Sequence, residues 1–363
     1  MSVSLLFAGG GTGGHIFPLL AVAQAIRARR SDTQIVFVGT ARGMESRILG
    51  QRGERLELLD ILPIKGGGWR GAARGIVRAA ESLPAAHRLV SQVQPKAVLS
   101  LGGYAAGPVS LAARTKGIPL ALLEPNSVLG LANLLLAPFA HRAYLAFPQA
   151  KRWFRKSVVR NTGVPLRSGF EPQAYEPTPD QFHILVLGGS QGAVTLNRNV
   201  PQAVGLARER TKSVLHVVHQ SGHDRTAEVE QTYERAGLRD AVRVVPFIDD
   251  VPRALARADL VIQRAGASAL AETCAIGRPS LLVPYPFAAG DHQLHNARAL
   301  ESDGAAICIP SSDASPTVLA DHLVRLANDE KARRRMADRA RAHGRSEAAA
   351  AIADDLLHLA EVL

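Results

Sequence analysis

Two segments of this chain open alike, and together they limit the folds it can adopt. Leu5-Leu6-Phe7-Ala8 runs into Gly9-Gly10-Gly11-Thr12-Gly13-Gly14, and Ile184-Leu185-Val186-Leu187 runs into Gly188-Gly189-Ser190-Gln191-Gly192. Each is an apolar run, a glycine turn and the start of a helical stretch, the opening of a Rossmann-like unit. Two such openings in 363 residues predict two α/β domains.

The spacing between the openings agrees. Apolar runs at residues 4–8, 34–39, 97–101 and 119–123 alternate with helical stretches, the first expected over 18–29. The second half repeats the pattern, with strands expected at 183–187, 213–219, 241–245, 260–263 and 280–283 and helices at 194–208 and 252–258. Asp249-Asp250 reads as the N-cap of the latter. Pro165, Pro172, Pro177 and Pro179 interrupt any helix or central strand between the halves. The organisation expected is an N-terminal domain over 1–162, a linker over 163–181, a C-terminal domain over 182–340 and a helical tail over 341–363 that packs back on the first domain. The fold class is α/β, with two parallel sheets facing across a cleft and ligands at the carboxyl ends of the strands.

Charge divides along the same line. Residues 1–165 hold 21 Lys and Arg against 7 Asp and Glu, whereas residues 166–363 hold 22 against 25. A basic half suits either nucleic acid or an anionic membrane surface. Aromatics are only 5% of the chain and no RNA- or DNA-reading motif occurs, so nucleic acid is excluded as a partner. Residues 65–90, with Lys65, Trp69, Arg70, Arg74, Arg78 and Arg88 among glycines and apolar side chains, read either as a membrane-touching surface or as a helix whose apolar side faces the sheet. No run of about 18 apolar residues occurs, so membrane contact is expected to be peripheral. The first residues read as a strand rather than a signal peptide. Cys274 and Cys308 are the only cysteines, too few for a disulfide framework, and point to a reducing cytoplasm.

Gly9, Gly11 and Gly14 satisfy the dinucleotide fingerprint, but the second strand ends Gly39-Thr40 with no carboxylate for a ribose, which disfavours an NAD-dependent oxidoreductase. His15 after Gly14 and Ala193 after Gly192 stand where a P-loop would carry lysine. The chain has no D-x-D pair, and His216 and His219, three apart on a strand, point to opposite faces, so no metal site is expected. What the glycines do permit is close approach of backbone N–H groups to an anionic ligand at a helix N-terminus. His15 is placed either to deprotonate a hydroxyl or to cap its own loop. Glu272, expected in the first helical turn beyond Arg264-Ala265-Gly266-Ala267-Ser268, is placed either to accept from ribose hydroxyls or to satisfy the helix N-terminus.

The runs from Gly9 to Pro18, Leu101-Gly102-Gly103-Tyr104 with Gly107-Pro108, Glu124-Pro125-Asn126, Thr162-Gly163-Val164-Pro165-Leu166-Arg167, Gly188 to Gly192, and Asp291-His292-Gln293 with Asn296-Ala297 occur in collinear order through both domains. In these the chain resembles the MurG family, the N-acetylglucosaminyltransferases of bacterial peptidoglycan synthesis in glycosyltransferase family 28. The resemblance implies a GT-B fold. It implies inverting transfer of GlcNAc, with no metal or other cofactor, from UDP-GlcNAc to the MurNAc 4-hydroxyl of undecaprenyl-pyrophosphoryl-MurNAc-pentapeptide (lipid I), giving lipid II and UDP.

Carried over by position, Thr12, Gly13, Gly14, Asn126, Arg167, Ser190, Ile248, Glu272 and Gln293 are implied to hold UDP-GlcNAc. Ser190 would lie near the phosphates, Glu272 near the ribose, Ile248 by the uracil and Gln293 near the GlcNAc hydroxyls. His15 and Glu124 fall on positions implied to serve as acid, base or acceptor-orienting groups. The implied setting is the cytoplasmic face of the bacterial inner membrane, held peripherally on anionic lipid, with other cell-wall synthesis or division proteins as partners. Two positions depart from the family pattern: Pro125 and Leu294 stand where Gln is common. Another UDP-GlcNAc enzyme of the same fold, an epimerase or a lipid glycosyltransferase, would share the glycine loops and the donor site.

Overall fold

The computed structural model describes residues 3–10, 13–40, 44–59, 81–103, 105–189 and 191–362, with the backbone alone at Gly13, His15, Met44 and Glu45. Met1–Arg167 and Arg345–Leu363 form one compact unit and Ser168–Gly344 the other.

The first unit is built on β1 (Ser4–Gly9), β2 (Gln34–Thr40), β3 (Leu56–Leu59), β4 (Ala97–Gly102), β5 (Leu120–Glu124), β6 (Arg142–Leu145) and β7 (Val159–Asn161). They pair in the order β3-β2-β1-β4-β5-β6-β7, all parallel, with Phe7 opposite Phe37 and Leu99. The order reverses between β1 and β4, the switch point at which such sheets bind ligands. Among the described residues up to 167 its helices are α1 (Gly13–Arg29), α2 (Met44–Gly50), α3 (Leu83–Val93), α4 (Ala106–Thr115) and α5 (Leu131–Leu136).

Both faces are covered, so the strands are apolar throughout. Leu5 and Phe7 enter a core with Leu19, Val22 and Ile26 of α1, while Leu6 and Ala8 enter a second core with Val90 of α3 and Val109 of α4. A slip of one residue would exchange the two sets. Helix α1 begins five residues before the expected start at Pro18, which stands inside it. Pro18 is the sixth residue of the helix, where the N–H it lacks would have reached the carbonyl of Gly14 in the first turn.

The second unit is built on β8 (Gln181–Leu187), β9 (Val214–Gln220), β10 (Val242–Val245), β11 (Leu260–Gln263), β12 (Ser280–Leu282) and β13 (Ile307–Cys308), parallel in the order β10-β9-β8-β11-β12-β13. Helices α6 (Val194–Arg208), α7 (Thr226–Arg235), α8 (Val251–Ala256), α9 (Ala267–Ile276), α10 (His292–Ser302), α11 (Pro316–Asn328) and α12 (Glu330–His343) accompany them. Asp250 caps α8 by accepting from the Arg253 N–H at 3.0 Å.

Residues 168–180 carry no regular element, and side chains satisfy several of their carbonyls. Arg278 and Arg341 donate to Gln173 O, Arg278 to Ala174 O, and Arg334 to Tyr175 O. Arg278 is 2% exposed and also donates to Leu255 O and Ala256 O at the end of α8 and to Ile276 O and Gly277 O at the end of α9. Two helix C-termini, the negative ends of their dipoles, thus converge on one buried guanidinium.

The chain then returns. Helix α13 (Ala348–Val362) lays Ile352, Leu356 and Leu359 into the core beneath α1, each worth about 1.5–3 kcal/mol on full burial. Asp355 accepts from Arg142 at 2.9 Å and from the Tyr144 hydroxyl at 2.9 Å, Glu361 pairs with Arg30 at 2.6 Å, and Asp354 pairs with Arg29. With this helix counted, the first unit holds 23 basic and 11 acidic residues and the second 20 and 21.

Candidate active-site residues

At the carboxyl edge of the first sheet, the turns after β1 and β4 touch backbone to backbone. Gly103 has φ +89°, and a Cβ built on it would stand 3.0 Å from Gly10 O, so only glycine fits. The next strand, β5, ends at Glu124, which is 2% exposed. Its Oε1 accepts from the Asn126 N–H at 3.0 Å and from Asn126 Nδ2 at 3.1 Å, and its Oε2 accepts from the Gly130 N–H at 3.1 Å and from Asn133 Nδ2 at 3.0 Å. Burial pushes this carboxyl above the usual range, and the four donors pull it back.

With its oxygens so engaged, Glu124 holds the loop that presents Asn126. Asn133 also donates to Leu123 O at 3.1 Å, while its Oδ1 is buried and accepts no bond among the described residues. Asn126 is partly exposed, Arg167 is exposed, and Pro125 is buried. Gly13 and Gly14 begin α1, with His15 in its first turn, but the His15 side chain and Thr12 lie outside the described residues.

At the carboxyl edge of the second sheet, Gly188 and Gly192 of the loop after β8 pack on the end of β9. Gly192 has φ +73°, and a Cβ there would stand 2.0 Å from Ser221 O. Ser190 lies outside the described residues. Across the loop, Arg264 donates to Val283 O at 3.0 Å, Pro284 O at 3.1 Å, Ser311 Oγ at 2.8 Å and Thr195 Oγ1 at 3.3 Å, and lies 5.7 Å from the Tyr285 ring centre. Among the described residues it forms no ion pair. Burial lowers its affinity for the proton, yet a guanidinium stays charged, so this edge carries a fixed cation with neutral partners.

Gln293 Oε1 accepts from the Ala265 N–H at 3.1 Å and the Tyr285 N–H at 2.9 Å, binding the ends of β11 and β12 and leaving Nε2 to donate elsewhere. Leu294, its neighbour, is partly buried. The Ile248 N–H donates to Gln220 Oε1 at 3.0 Å. Helix α9 starts at Ala267, so Glu272 stands in the second turn rather than the expected first, and its reading as a carboxylate satisfying the helix N-terminus loses its support.

A cavity of about 1100 Å³ opens over the face of β8–β10. Ile248 lines it, but Arg264, Glu272 and Gln293 do not. His183 and His216 stack on that face with ring centres 5.0 Å apart, while His219 points into the interior, as strand alternation requires. Among the described residues no group of three His, Cys, Asp or Glu is assembled as a metal would need, and no helix is long and apolar enough to cross a membrane. Gln220 ends β9 and Arg264 directly follows β11, so a place at a strand's carboxyl end is the signal in the sequence for Gln220 and for the role of Arg264.

Residues 5–145 match the glycosyltransferase family 28 N-terminal domain and residues 183–354 the family 28 C-terminal domain. A relative from Sorangium cellulosum, "UDP-N-acetylglucosamine--N-acetylmuramyl-(pentapeptide) pyrophosphoryl-undecaprenol N-acetylglucosamine transferase", is 56% identical over 99% of this chain and 89% of its own. The crystal structure of Acinetobacter baumannii MurG superposes with a TM-score of 0.83 at 32% identity, covering 99% of this chain and 100% of that one. A UDP-N-acetylglucosamine 2-epimerase structure superposes with a TM-score of 0.67 at 14% identity over 99% of this chain and 96% of its own, which shows a shared fold alone. The chain belongs to glycosyltransferase family 28 and has the GT-B fold.

Proposed function

We propose that this chain transfers N-acetylglucosamine from UDP-GlcNAc to the MurNAc 4-hydroxyl of lipid I, with inversion and without a metal, giving lipid II and UDP in peptidoglycan synthesis. The observation that carries this is family membership running through both domains, with a glycine loop at the carboxyl edge of each sheet.

In the second domain, the amides of 188–192 and Ser190 receive the diphosphate near the N-terminus of α6, where anionic oxygens are favoured. The Arg264 guanidinium adds a fixed positive charge at that edge as negative charge grows on the leaving UDP. Ile248 packs on uracil, Glu272 accepts from ribose hydroxyls, and Gln293 Nε2 donates to the sugar. Thr12, Gly13, Gly14, Asn126 and Arg167 of the first domain complete the donor contacts by resemblance. His15 takes the proton of the attacking hydroxyl, while Glu124 acts at one remove by fixing Asn126.

The acceptor is lipid-linked, so the first domain meets the cytoplasmic face of the inner membrane. Its basic excess supports this, as do exposed apolar side chains: Leu131 and Leu135, neighbours on α5, at 45% and 52%, and Phe139 at 45%. Trp153 is 44% exposed with Arg152 over its ring, and Lys151, Arg155 and Lys156 stand beside it in sequence. The part of the basic 65–90 stretch up to residue 80 lies outside the described residues. Other cell-wall synthesis or division proteins are the remaining proposed partners.

Incubation with UDP-GlcNAc and a lipid I analogue, with and without EDTA, tests the proposal. Transfer that survives chelation is the expected outcome. Conversion of UDP-GlcNAc without acceptor would mean an epimerase instead.

A further inference from the structure

Three buried side chains of the second domain form a chain of hydrogen bonds that ends at the carbonyl against which the glycine loop packs. His219 on β9 is fully buried, and Asn197, Tyr233 and Ser221 are 7%, 1% and 0% exposed. His219 Nδ1 lies 2.9 Å from the Tyr233 hydroxyl and Nε2 lies 3.1 Å from Asn197 Oδ1. Asn197 Nδ2 donates to Ser221 O at 2.8 Å.

The direction of each bond follows from the last. Asn197 spends its amide N–H on a carbonyl, so its Oδ1 can only accept, and His219 Nε2 must carry the ring proton. Nδ1 is then a bare acceptor, and the Tyr233 hydroxyl must donate to it. The chain runs one way: phenol to imidazole, imidazole to amide, amide to the Ser221 carbonyl. It works only with a neutral ring, and burial pushes the His219 pKa down to about 3.

What the chain holds is the floor of the loop 188–192. The gap between Ser221 O and Gly192 leaves no room for a methyl group, and a Cβ on Gly222 would stand 2.4 Å from the Gly192 N–H nitrogen. A displaced Ser221 carbonyl must therefore displace Gly192. Asn197 is itself in the first turn of α6, where its N–H donates to Ala193 O at 2.8 Å, so the same side chain ties the helix start to the loop's floor.

We infer that His219 is a positioning residue for donor recognition: through Asn197 it fixes the Ser221 carbonyl, and with it the amides of 188–192 that receive the nucleotide diphosphate. This rests on the proposed donor site. It assigns a task to residues that touch no ligand. Bonds in such a chain polarise one another, so cutting it at one end weakens the other.

The test is a double-variant cycle on UDP affinity, measured by calorimetry on the full chain. Tyr233→Phe removes one hydroxyl and keeps the ring, which meets His219 edge-on with centres 5.7 Å apart. It should weaken UDP binding about 3- to 10-fold, the worth of one buried hydrogen bond, and leave the KM for a lipid I analogue unchanged. In an Asn197→Ala background, where the chain is already cut, the same change should do almost nothing. If Asn197→Ala fails to fold, Asn197→Asp serves, since it keeps the acceptor for His219 and loses the donor to Ser221.

The inference is overturned if Tyr233→Phe leaves UDP affinity unchanged, if it weakens UDP and acceptor alike, or if the two substitutions multiply. Wild-type chain that binds no UDP would sink the donor-site proposal itself, and so is told apart from these outcomes.

Discussion

The carboxyl edges of the two sheets are held by opposite chemistry. In the first domain a buried carboxylate, Glu124, accepts four hydrogen bonds and ties the loop after β5 together. In the second, the ties are neutral acceptors and a cation: Gln220, Gln293, the Tyr233–His219–Asn197 chain and Arg264. Under the proposed function, the difference suits a second edge that receives the diphosphate and a first edge that receives the attacking hydroxyl. An anionic anchor beside a diphosphate would cost Coulomb energy in a partly dry site, whereas beside a hydroxyl nucleophile it costs nothing and favours a protonated base.

Four measurements can break or sharpen this contrast. The largest effect belongs to His15. His15→Ala should lower kcat by roughly 10²–10⁴-fold with little change in donor KM, as for a lost general base. A change of less than tenfold in steady-state turnover would leave His15 as a loop cap and remove the proton transfer from the first edge. Next comes Glu124→Gln, which replaces two of four acceptor sites with donors facing donors and should cost about 3 kcal/mol in urea unfolding. A stability loss under about 1 kcal/mol would mean that the carboxylate is no anchor.

The third exports the first edge's chemistry to the second. Gln293→Glu keeps an acceptor oxygen for the Ala265 and Tyr285 N–H groups and adds a charge, so the fold should persist while the donor KM rises about 10- to 100-fold. An unchanged KM would show that the second edge is not selected against anions. The last concerns acid. His219 is neutral when folded, with a pKa near 3, and has an ordinary value of 6.5 when unfolded, so the unfolded chain binds its proton first. Its contribution to stability is complete above about pH 6.5 and is lost as pH falls toward 3, by up to about 1.4 kcal/mol per pH unit. His219→Gln should flatten that part of the pH dependence of urea unfolding, and equal slopes for variant and wild type would refute it.

Most of the sheet framework was legible because parallel strands buried on both faces are simply apolar. The strand 260–263 and the helix 194–208 are found with the expected bounds. The short strands β3, β6, β7 and β13 were not expected, since two to four residues at a sheet's flank carry little pattern. The site was legible as motif and not as geometry. Glu124 was pointed to by the family resemblance alone, and its burial and four donors depend in part on Asn133, nine residues on in another element. His219 shows the same limit. Strand alternation sends it away from His216, yet nothing in the local spacing says that Tyr233 of α7 will supply its proton donor.

The return of α13 to the first unit has a consequence for how the protein is made. On the ribosome, residues 168–344 are synthesised and can close their own core while the first sheet still lacks the helix that supplies Ile352, Leu356 and Leu359. The domain begun first is thus finished last, and until residues 348–362 emerge, part of the face carrying Leu5, Phe7 and Tyr144 stays wet. A chain cut short before residue 348 would keep the second core intact and leave the first one incomplete.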